Sequence, residues 1–321
     1  MKEEKKGTVL VALGGNAILQ SGEKGTFEEQ ARNVEVVCKQ LLELIKEGYN
    51  LVITHGNGPQ IGNLALQQEE RKMHVPPQPL DALSAMTQGQ IGYMIQQALM
   101  NLLEEAGIRR SAITVITRVL VDGNDPGFGN PSKPIGPYYS LEEAEEVAKR
   151  NGYNVKAVKP NGDKVYRRIV PSPEPISIVE GEAIKRLVEC GFVVIASGGG
   201  GIPVIRNRKG SLRGVEAVVD KDLAGERLAE AVGADTFLIV TDVEKVKLNF
   251  GKPDEKDLDR LTVEAAKKYL AEGHFLPGSM EPKVLSCVRF IERGGKRAII
   301  TSLDKSLEAI KGRAGTLISR D

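Results

Sequence analysis

Three short apolar segments of this chain run directly into clusters of glycine. They are residues 9–13 before Gly14 and Gly15, residues 51–54 before Gly56, Asn57 and Gly58, and residues 192–197 before Gly198 and Gly199. A strand needs glycine at its end only where the backbone turns sharply or another group approaches closely. In an open parallel α/β sheet, ligands bind outside the carboxyl ends of the strands. The three ends therefore predict one shared pocket with bare backbone N–H groups for an anionic, phosphorylated ligand.

Length, charge and composition exclude several classes of protein. The chain has 321 residues, enough for one large α/β unit or two lobes. Lys and Arg number 44 against 43 Asp and Glu, so there is no basic excess to attract nucleic acid or a membrane surface. The sequence has no run of about 18 apolar residues, which predicts no transmembrane helix. Its three scattered cysteines predict neither a disulfide framework nor a zinc site, and we expect a cytoplasmic protein.

The order of predicted elements favours parallel strands with helices on both faces of the sheet. A capping box at residues 26–29 opens a helix with apolar residues at helical spacing, and Gly48 ends it before the second strand. A helix over about 81–105 and a strand over 113–117 follow. This β-α-β-α-β alternation is typical of a mainly parallel α/β sheet.

The alternation breaks between about residues 122 and 175, where Pro and Gly are frequent. A capping box at 140–143 predicts one helix, and an Asn-Gly turn between 155–158 and 165–170 predicts a hairpin. We interpret the segment as a small inserted subdomain that acts as a lid or binding loop, although an ordinary surface excursion is the alternative.

A basic stretch at 206–213 predicts a boundary between a first lobe, 1–205, and a second lobe, 206–321.

Two common phosphate-binding fingerprints do not fit this chain. The sequence lacks G-x-x-x-x-G-K-[ST], which argues against a P-loop NTPase. Gly56, Gly58 and Gly62 are spaced one residue too widely for the dinucleotide fingerprint, and Pro59 lacks the N–H that a helix N-terminus would offer there. A Rossmann dehydrogenase is therefore disfavoured.

The second lobe contains the charges that phosphoryl transfer requires. Lys221 and Asp222 stand just before a predicted helix, and the segment 278–283 with Lys283 opens another. Phosphoryl transfer needs cations beside the moving group and an acid that holds those cations in place. Taken alone, each motif is also typical of a solvated helix cap.

Taken in order, the motifs of this sequence resemble the amino-acid kinase superfamily and, within it, the carbamate kinases. The resemblance extends from residue 9 to 316 and rests on segments 12–17, 55–60, 168–173, 214–222 and 273–280. It implies a three-layer α/β/α sandwich with the acceptor in the first lobe and the nucleotide in the second. It further implies reversible transfer between ATP and carbamate, giving ADP and carbamoyl phosphate, with Mg²⁺ held mainly by nucleotide phosphates. A homodimer that commonly makes ATP, within arginine metabolism, is implied as well.

One position distinguishes this chain from relatives of the acetylglutamate-kinase type. Those relatives carry a lysine just before the first glycine pair, where this chain has Ala12 and Leu13. A site without one of its charge-neutralising lysines would transfer phosphoryl groups poorly. The resemblance supplies a substitute, because Lys133 in the inserted segment matches a carbamate-kinase lysine that reaches over the pocket.

The resemblance also assigns roles to individual residues. Lys221 and Lys283 neutralise the transferring oxygens and Asp222 orients both, so that these three and Lys133 form the predicted catalytic set. The predicted substrate and phosphoryl contacts are Gly14, Gly15, Asn16, Gly56, Asn57, Gly58, Gly198 and Gly199. The predicted nucleotide contacts are Lys221, Thr241, Asp242, Val243, Met280 and Lys283.

Carbamate already carries an anionic oxygen, so no general base is required. We therefore expect His55 to be structural and His74 and His274 to be structural or peripheral.

Two other interpretations remain open at this point. One is a kinase of the same fold for another small carboxylate or phosphate acceptor, and the other is a non-catalytic nucleotide or amino-acid sensor. The complete set of Lys221, Asp222 and Lys283 argues against a sensor. Lys245 and Lys247 occupy positions where aromatic or apolar residues often pack on the base, so the resemblance does not define the adenine contacts.

Overall fold

The structure, a computed structural model, describes residues 6–20, 22–71, 75–158 and 161–321. The helices are α1 (Phe27–Lys46), α2 (Gly58–Arg71), α3 (Leu80–Glu105), α4 (Leu141–Asn151), α5 (Gly181–Glu189), α6 (Lys221–Val232), α7 (Val263–Ala271), α8 (Met280–Glu292) and α9 (Ser306–Ile310). The strands are β1 (Thr8–Leu13), β2 (Asn50–His55), β3 (Ala112–Thr114), β4 (Arg118–Val121), β5 (Lys133–Tyr139), β6 (Asn154–Ala157), β7 (Tyr166–Val170), β8 (Pro175–Ile178), β9 (Val193–Ile195), β10 (Ile202–Arg206), β11 (Leu212–Gly214), β12 (Thr236–Thr241), β13 (Val246–Leu248), β14 (Lys256–Leu258), β15 (Arg260–Thr262), β16 (Arg297–Ser302) and β17 (Thr316–Ser319). Within these ranges, none of the helices is both long and apolar enough to span a bilayer.

An eight-stranded sheet in the order β15-β17-β16-β12-β1-β2-β9-β3 forms the centre of the molecule. The strands from β16 to β3 run parallel, whereas β17 lies antiparallel to β16. Side chains of β1 alternate between two apolar clusters, with Leu10 and Ala12 on one face and Val9, Val11 and Leu13 on the other. Helices α5, α6 and α8 cover the first face, and α1 and α3 cover the second. The predicted three-layer sandwich is confirmed.

The inserted segment forms a separate antiparallel sheet in the order β5-β7-β6, with helix α4 beside it. The predicted hairpin corresponds to β6 and β7, and residues 159–160 of its turn lie outside the described ranges. The small sheet packs on α2, where a Cβ on Gly62 would stand 2.1 Å from the Gly136 Cα. The role of this segment as a lid and the boundary between the lobes remain predictions.

The strand predicted over 113–117 is only partly correct. Strand β3 ends at Thr114, and β4, which begins at Arg118, joins a different sheet in the order β11-β10-β4-β8. At the change of sheet, Thr117 donates its N–H to Gln88 Oε1 at 2.8 Å, and its carbonyl accepts a hydrogen bond from the Ile202 N–H at 2.9 Å. This crossing places Thr117 beside the third glycine cluster.

Candidate active site

The three glycine-rich strand ends lie side by side at one edge of the sheet, and a single pocket shared by all three remains a prediction. They follow β1, β2 and β9, which are neighbouring parallel strands, so their carboxyl ends share one edge of the sheet. A Cβ on Gly56 would stand 3.1 Å from the Gly15 nitrogen, and a Cβ on Gly199 would stand 2.2 Å from Asn57 Nδ2. The absence of side chains is what allows the three loops to approach one another.

The backbone of the first two clusters is partly engaged in the sheet. Gly14 donates its N–H to the Val240 carbonyl at 2.9 Å, and Gly56 donates to the Leu13 carbonyl at 3.1 Å. The Gly14 N–H, which was predicted to bind the anion, is thus already engaged in a hydrogen bond that links β1 to β12. Gly15 opens the short 3₁₀ turn that follows.

Two lysines and one carboxylate form the centre of the site. Lys221 Nζ donates to Asp222 Oδ1 at 2.6 Å, and Lys283 Nζ donates to Asp222 Oδ2 at 2.9 Å. Asp222 is almost completely buried, and both lysine side chains are largely buried. The structure therefore brings Lys283 to the adjacent pair Lys221 and Asp222, although Lys283 lies 61 positions after Asp222 in the sequence.

The electrostatics of this network keep Asp222 ionised. Burial alone would raise the pKa of Asp222, but the charges and hydrogen bonds of Lys221 and Lys283 hold that pKa well below its usual range. Burial, with the nearby charge of Lys283, lowers the pKa of Lys221. Burial also opposes the charged form of Lys283, yet the attraction of Asp222 outweighs it and raises the pKa of Lys283. The result is a compact set of charges in a site of low dielectric constant.

Asp220 joins this network to the inserted segment. Its Oδ1 accepts a hydrogen bond from the Asp222 N–H at 2.9 Å, which caps α6 and starts the helix at Lys221 rather than near residue 223. Its Oδ2 accepts a hydrogen bond from Lys133 Nζ at 2.6 Å. Lys133 is therefore linked through Asp220 to the first turn of α6, and its catalytic role remains a prediction.

His55 occupies a structural position at the end of β2. The side chain is 1% exposed, and its Nδ1 lies 3.0 Å from the Gly56 carbonyl. Burial lowers the pKa of His55 to about 4, so the imidazole is neutral near pH 7. Of the other histidines, His74 lies outside the described residues. His274 contacts Asn249 Oδ1 at 3.1 Å.

Two polar residues of α3 support the site and were missed by sequence reasoning. Thr87 Oγ1 accepts a hydrogen bond from Asn57 Nδ2 at 2.9 Å, which fixes the side chain predicted to bind the acceptor. Gln88 Nε2 donates to the carbonyls of Thr117 and Gly198 at 3.1 Å each. The sequence carries no distinctive signal for them, because α3 contains further polar residues such as Gln90 and Gln97 and a solvent-exposed face would produce the same pattern.

The third glycine loop is held in a strained conformation. Ser197, just before Gly198, has a φ of 53°, in the left-handed region that side chains rarely adopt. Its carbonyl accepts a hydrogen bond from Thr54 Oγ1 at 2.9 Å, and its N–H donates to Thr117 Oγ1 at 3.0 Å. Such strain persists only where the surroundings fix it, and it is frequent at ligand-binding loops.

Two adjoining cavities open at this edge of the sheet. The larger, of about 460 Å³, is lined by Gly14, Gly15, Asn16, Lys221, Lys283, Asp304 and others, and the smaller, of about 180 Å³, by Val243, Lys245, Lys247, Phe250, His274, Leu276 and Met280 among others. Thr241, Asp242 and Ser279 line both. The polar cavity suits phosphates and the apolar one suits a planar base. His274, expected to be structural or peripheral, lines the smaller cavity.

The fold agrees with comparisons to known proteins. Residues 7–302 match the model of the amino acid kinase family, and the chain belongs to that family. Within it, the chain groups with the carbamate kinases. It is 54% identical over 316 residues to carbamate kinase of Thermococcus kodakarensis, covering 98% of this chain and 99% of that protein. It is 52% identical over 312 residues to the carbamate kinase of Pyrococcus furiosus, covering 97% and 98%.

A solved structure supports the same grouping. Carbamate kinase from Giardia lamblia bound to AMP-PNP superposes with a TM-score of 0.90 at 40% sequence identity, covering 98% of this chain and 99% of that one. The resemblance expected from the sequence motifs, in fold and in family, is therefore confirmed.

Proposed function

We propose that this chain transfers a phosphoryl group reversibly between ATP and carbamate, giving ADP and carbamoyl phosphate. The observation that carries the proposal is the buried network in which Asp222 holds both Lys221 and Lys283 beside the larger cavity. Charge spreads over the phosphoryl oxygens during transfer, and preorganised cations stabilise it without a reorganisation cost. Lysine suits this role because its ammonium group is a compact charge on a flexible side chain. Such a group can remain beside the phosphoryl group during transfer.

In this proposal the nucleotide occupies both cavities. The base lies in the smaller one against Met280 and Val243, and the phosphates extend past Thr241 and Asp242 to the lysines. The acceptor lies at the Gly56, Asn57 and Gly58 end, where Thr87 fixes Asn57. The anionic oxygen of carbamate attacks directly, so the neutral, buried His55 has no proton to remove.

Lys133 supplies the third cation in this account. The first strand end has no basic residue, since Ala12 and Leu13 are fully buried apolar residues. Lys133 Nζ lies 2.6 Å from Asp220, one residue before Lys221, and its side chain is 28% exposed. We propose that the inserted segment acts as a lid that delivers this charge to the phosphoryl group.

Magnesium would be held mainly by the nucleotide phosphates. Oxygen donors that suit Mg²⁺ line the larger cavity, namely the side chains of Asn16, Asp242 and Asp304. Among the described residues, no group of three or more His, Cys, Asp and Glu side chains could hold a metal. The donor set therefore fits an ion that retains waters and phosphate ligands, and that neutralises phosphate charge when bound.

We further propose a cytoplasmic homodimer. Helices α1 and α3 present exposed apolar side chains, including Phe27 and Tyr93, around a groove of about 430 Å³. Strand β3 ends the central sheet beside exposed Ile116. Exposed apolar patches of this kind mark protein interfaces. Light scattering should give twice the chain mass of 34.8 kDa, and a monomer at assay concentrations would reject the dimer.

A coupled assay that detects ATP tests the proposed reaction. Carbamoyl phosphate with ADP and Mg²⁺ should give ATP at a rate far above that with acetylglutamate or UMP and ATP. Faster turnover with acetylglutamate or UMP would favour another kinase of the same fold. Binding of ADP without any turnover would favour a sensor. The same assay run in both directions measures whether ATP formation, the direction we propose, is the faster one.

A further inference from the structure

Glu226 is a buried carboxylate that the proposed reaction does not use. It lies one helical turn after Asp222 on α6, and its side chain is 0% exposed. Neither of its carboxylate oxygens has a hydrogen-bond partner among the residues that the structure describes. A buried, unsatisfied carboxylate is costly to a fold, so its presence requires a reason.

The charges around Glu226 come from both helices that carry the catalytic lysines. Arg227 Nε, next to it on α6, lies 3.4 Å from Oε2, and Arg293 Nε, at the end of α8, lies 3.5 Å from Oε1. These distances are those of ion pairs. Arg293 also pairs with Glu230 at 2.9 Å, one turn further along α6. Charged groups thus link the distal parts of α6 and α8, whose first turns hold Asp222 and Lys283.

Four charged side chains influence the titration of Glu226, and a fifth faces it. Burial raises the pKa of its carboxyl to about 7, Arg293 and Arg289 of α8 oppose that rise, and Glu230 of α6 and Glu174 before β8 add to it. Arg227 completes the set of facing charges. The carboxyl therefore changes charge close to neutral pH, where protonation would remove its attraction to the two arginines.

We propose that Glu226, through its ion pairs with Arg227 and Arg293, is a positioning residue that holds α6 against α8 and so sets the spacing of Lys221 and Lys283. This inference rests on the proposed function, because it assigns those lysines to phosphoryl transfer. In the ionised form, Glu226 attracts the end of α8 whose beginning carries Lys283. In the neutral form, the packed helices lose that attraction and the two ammonium groups lose part of their alignment.

The proposal predicts a pH profile that a purely structural residue would not produce. In the parent chain, kcat for ATP formation should rise by about 3- to 10-fold as Glu226 ionises between about pH 6 and pH 8. Glu226→Gln keeps the shape and remains neutral, so its kcat should stay near the low-pH value throughout. The matched control is Glu182→Gln on α5, whose carboxylate is 70% exposed in a pair with Arg186, and its profile should follow the parent.

A thermal melt provides a readout that does not depend on activity. The pKa of Glu226 is raised from 4.5 to about 7 in the folded chain, so the ionised form destabilises the fold above that range and costs nothing below it. Glu226→Gln should therefore raise Tm at about pH 8 and leave Tm at about pH 4 unchanged. If the ionised Glu226 lowers the stability of the parent chain, its function is the reason that the charge is kept.

The outcomes separate the two proposals. A parent-like kcat profile in Glu226→Gln overturns the positioning role and leaves the proposed reaction intact. Absence of any ATP formation by the parent rejects both. If Glu226→Gln does not fold, Arg293→Gln replaces it. That variant removes the partner through which Glu226 attracts the end of α8, so its kcat should stay near the low-pH value throughout, and a parent-like rise would overturn the role.

Discussion

The residues that line the two cavities of the site are stabilised by different interactions. Around the larger one, buried charges contact one another at hydrogen-bonding distance, with Asp222 3% exposed between two lysines. Around the smaller one, Phe250 and Leu276 are 65% and 63% exposed. There, Lys247 pairs with Glu255 on the surface hairpin of β13 and β14. Phosphoryl chemistry requires fixed geometry, whereas a planar base is bound by apolar contact that tolerates variation.

This difference explains why residues that depart from the family pattern are tolerated beside the smaller cavity only. Lys245 lies near the base cavity and is paired with Asp259 at 2.7 Å, so its charge is compensated at the surface. A comparable change at Lys221 or Lys283 would remove one of the two cations that pair with the buried Asp222. Substitutions near the larger cavity should therefore affect kcat strongly, and substitutions near the smaller cavity should affect nucleotide affinity weakly.

The largest effect is expected from the lysines of the buried network. Lys221→Ala and Lys283→Ala should each lower kcat by at least about 10²-fold, because each removes a cation from the transferring charge. The control is Lys245→Ala, which should remain within about 3-fold of the parent. Steady-state kinetics with carbamoyl phosphate and ADP measure both. Near-normal turnover in either of the first two variants would reject the assigned roles.

The next largest effect concerns the inserted segment. Lys133→Ala should lower kcat by about 30-fold if this residue supplies the cation missing at the first strand end. Lys164→Ala, in an exposed pair with Glu143 on the same segment, is the matched control and should leave kcat unchanged. If Lys133→Ala and Lys164→Ala had the same kcat, the proposed catalytic role of the inserted segment would be rejected.

A smaller effect is expected at the glycine loop of the acceptor end. Gly199 has a φ of 66°, and its Cβ would overlap the Asn57 side chain. Gly199→Ala should raise KM for carbamoyl phosphate by about 10-fold, the equivalent of one hydrogen bond to a charged substrate. Gly210→Ala has a similar positive φ of 86° with open space around the Cβ, so it controls for backbone strain. If both variants have the same KM, Asn57 does not bind the acceptor.

The smallest effect is expected at the base. Phe250→Ala should raise KM for ADP by about 3-fold and leave kcat unchanged, because it removes one exposed aromatic contact. Ile176→Ala on β8, also an exposed apolar side chain, should change neither constant. A fall in kcat as large as that of the lysine variants would contradict the distinction between the two cavities.

Much of the site could be predicted because its signals are local. Glycines after buried strands identify the pocket edge, since parallel strands bring their carboxyl ends to one side of a sheet. The assignment of Lys133 to the site depended on the resemblance, because a lysine between Ser132 and Pro134 has no local signal of its own. The start of α6 was missed by two residues, because an Asp at 220 that caps the helix cannot be distinguished from one inside the first turn.

The supporting residues could not be predicted from the sequence. Thr87 and Gln88 lie on α3, and their partners Asn57, Thr117 and Gly198 are far along the chain. In the sequence, Glu226 has the pattern of an ordinary polar helix residue. In the structure, the packing of α8 on α6 buries it. In each case tertiary packing decides which polar side chains face the interior, and single-sequence periodicity does not contain that information.

The most direct test of the central claim is kcat of Asp222→Asn. The substitution keeps the shape of the side chain and removes the charge that aligns Lys221 and Lys283. The account predicts a loss of at least about 10²-fold in kcat for ATP formation, with a folded chain by circular dichroism and a smaller change in KM for ADP. Turnover equal to that of the parent in a folded Asp222→Asn variant would contradict the claim that this buried network performs the transfer.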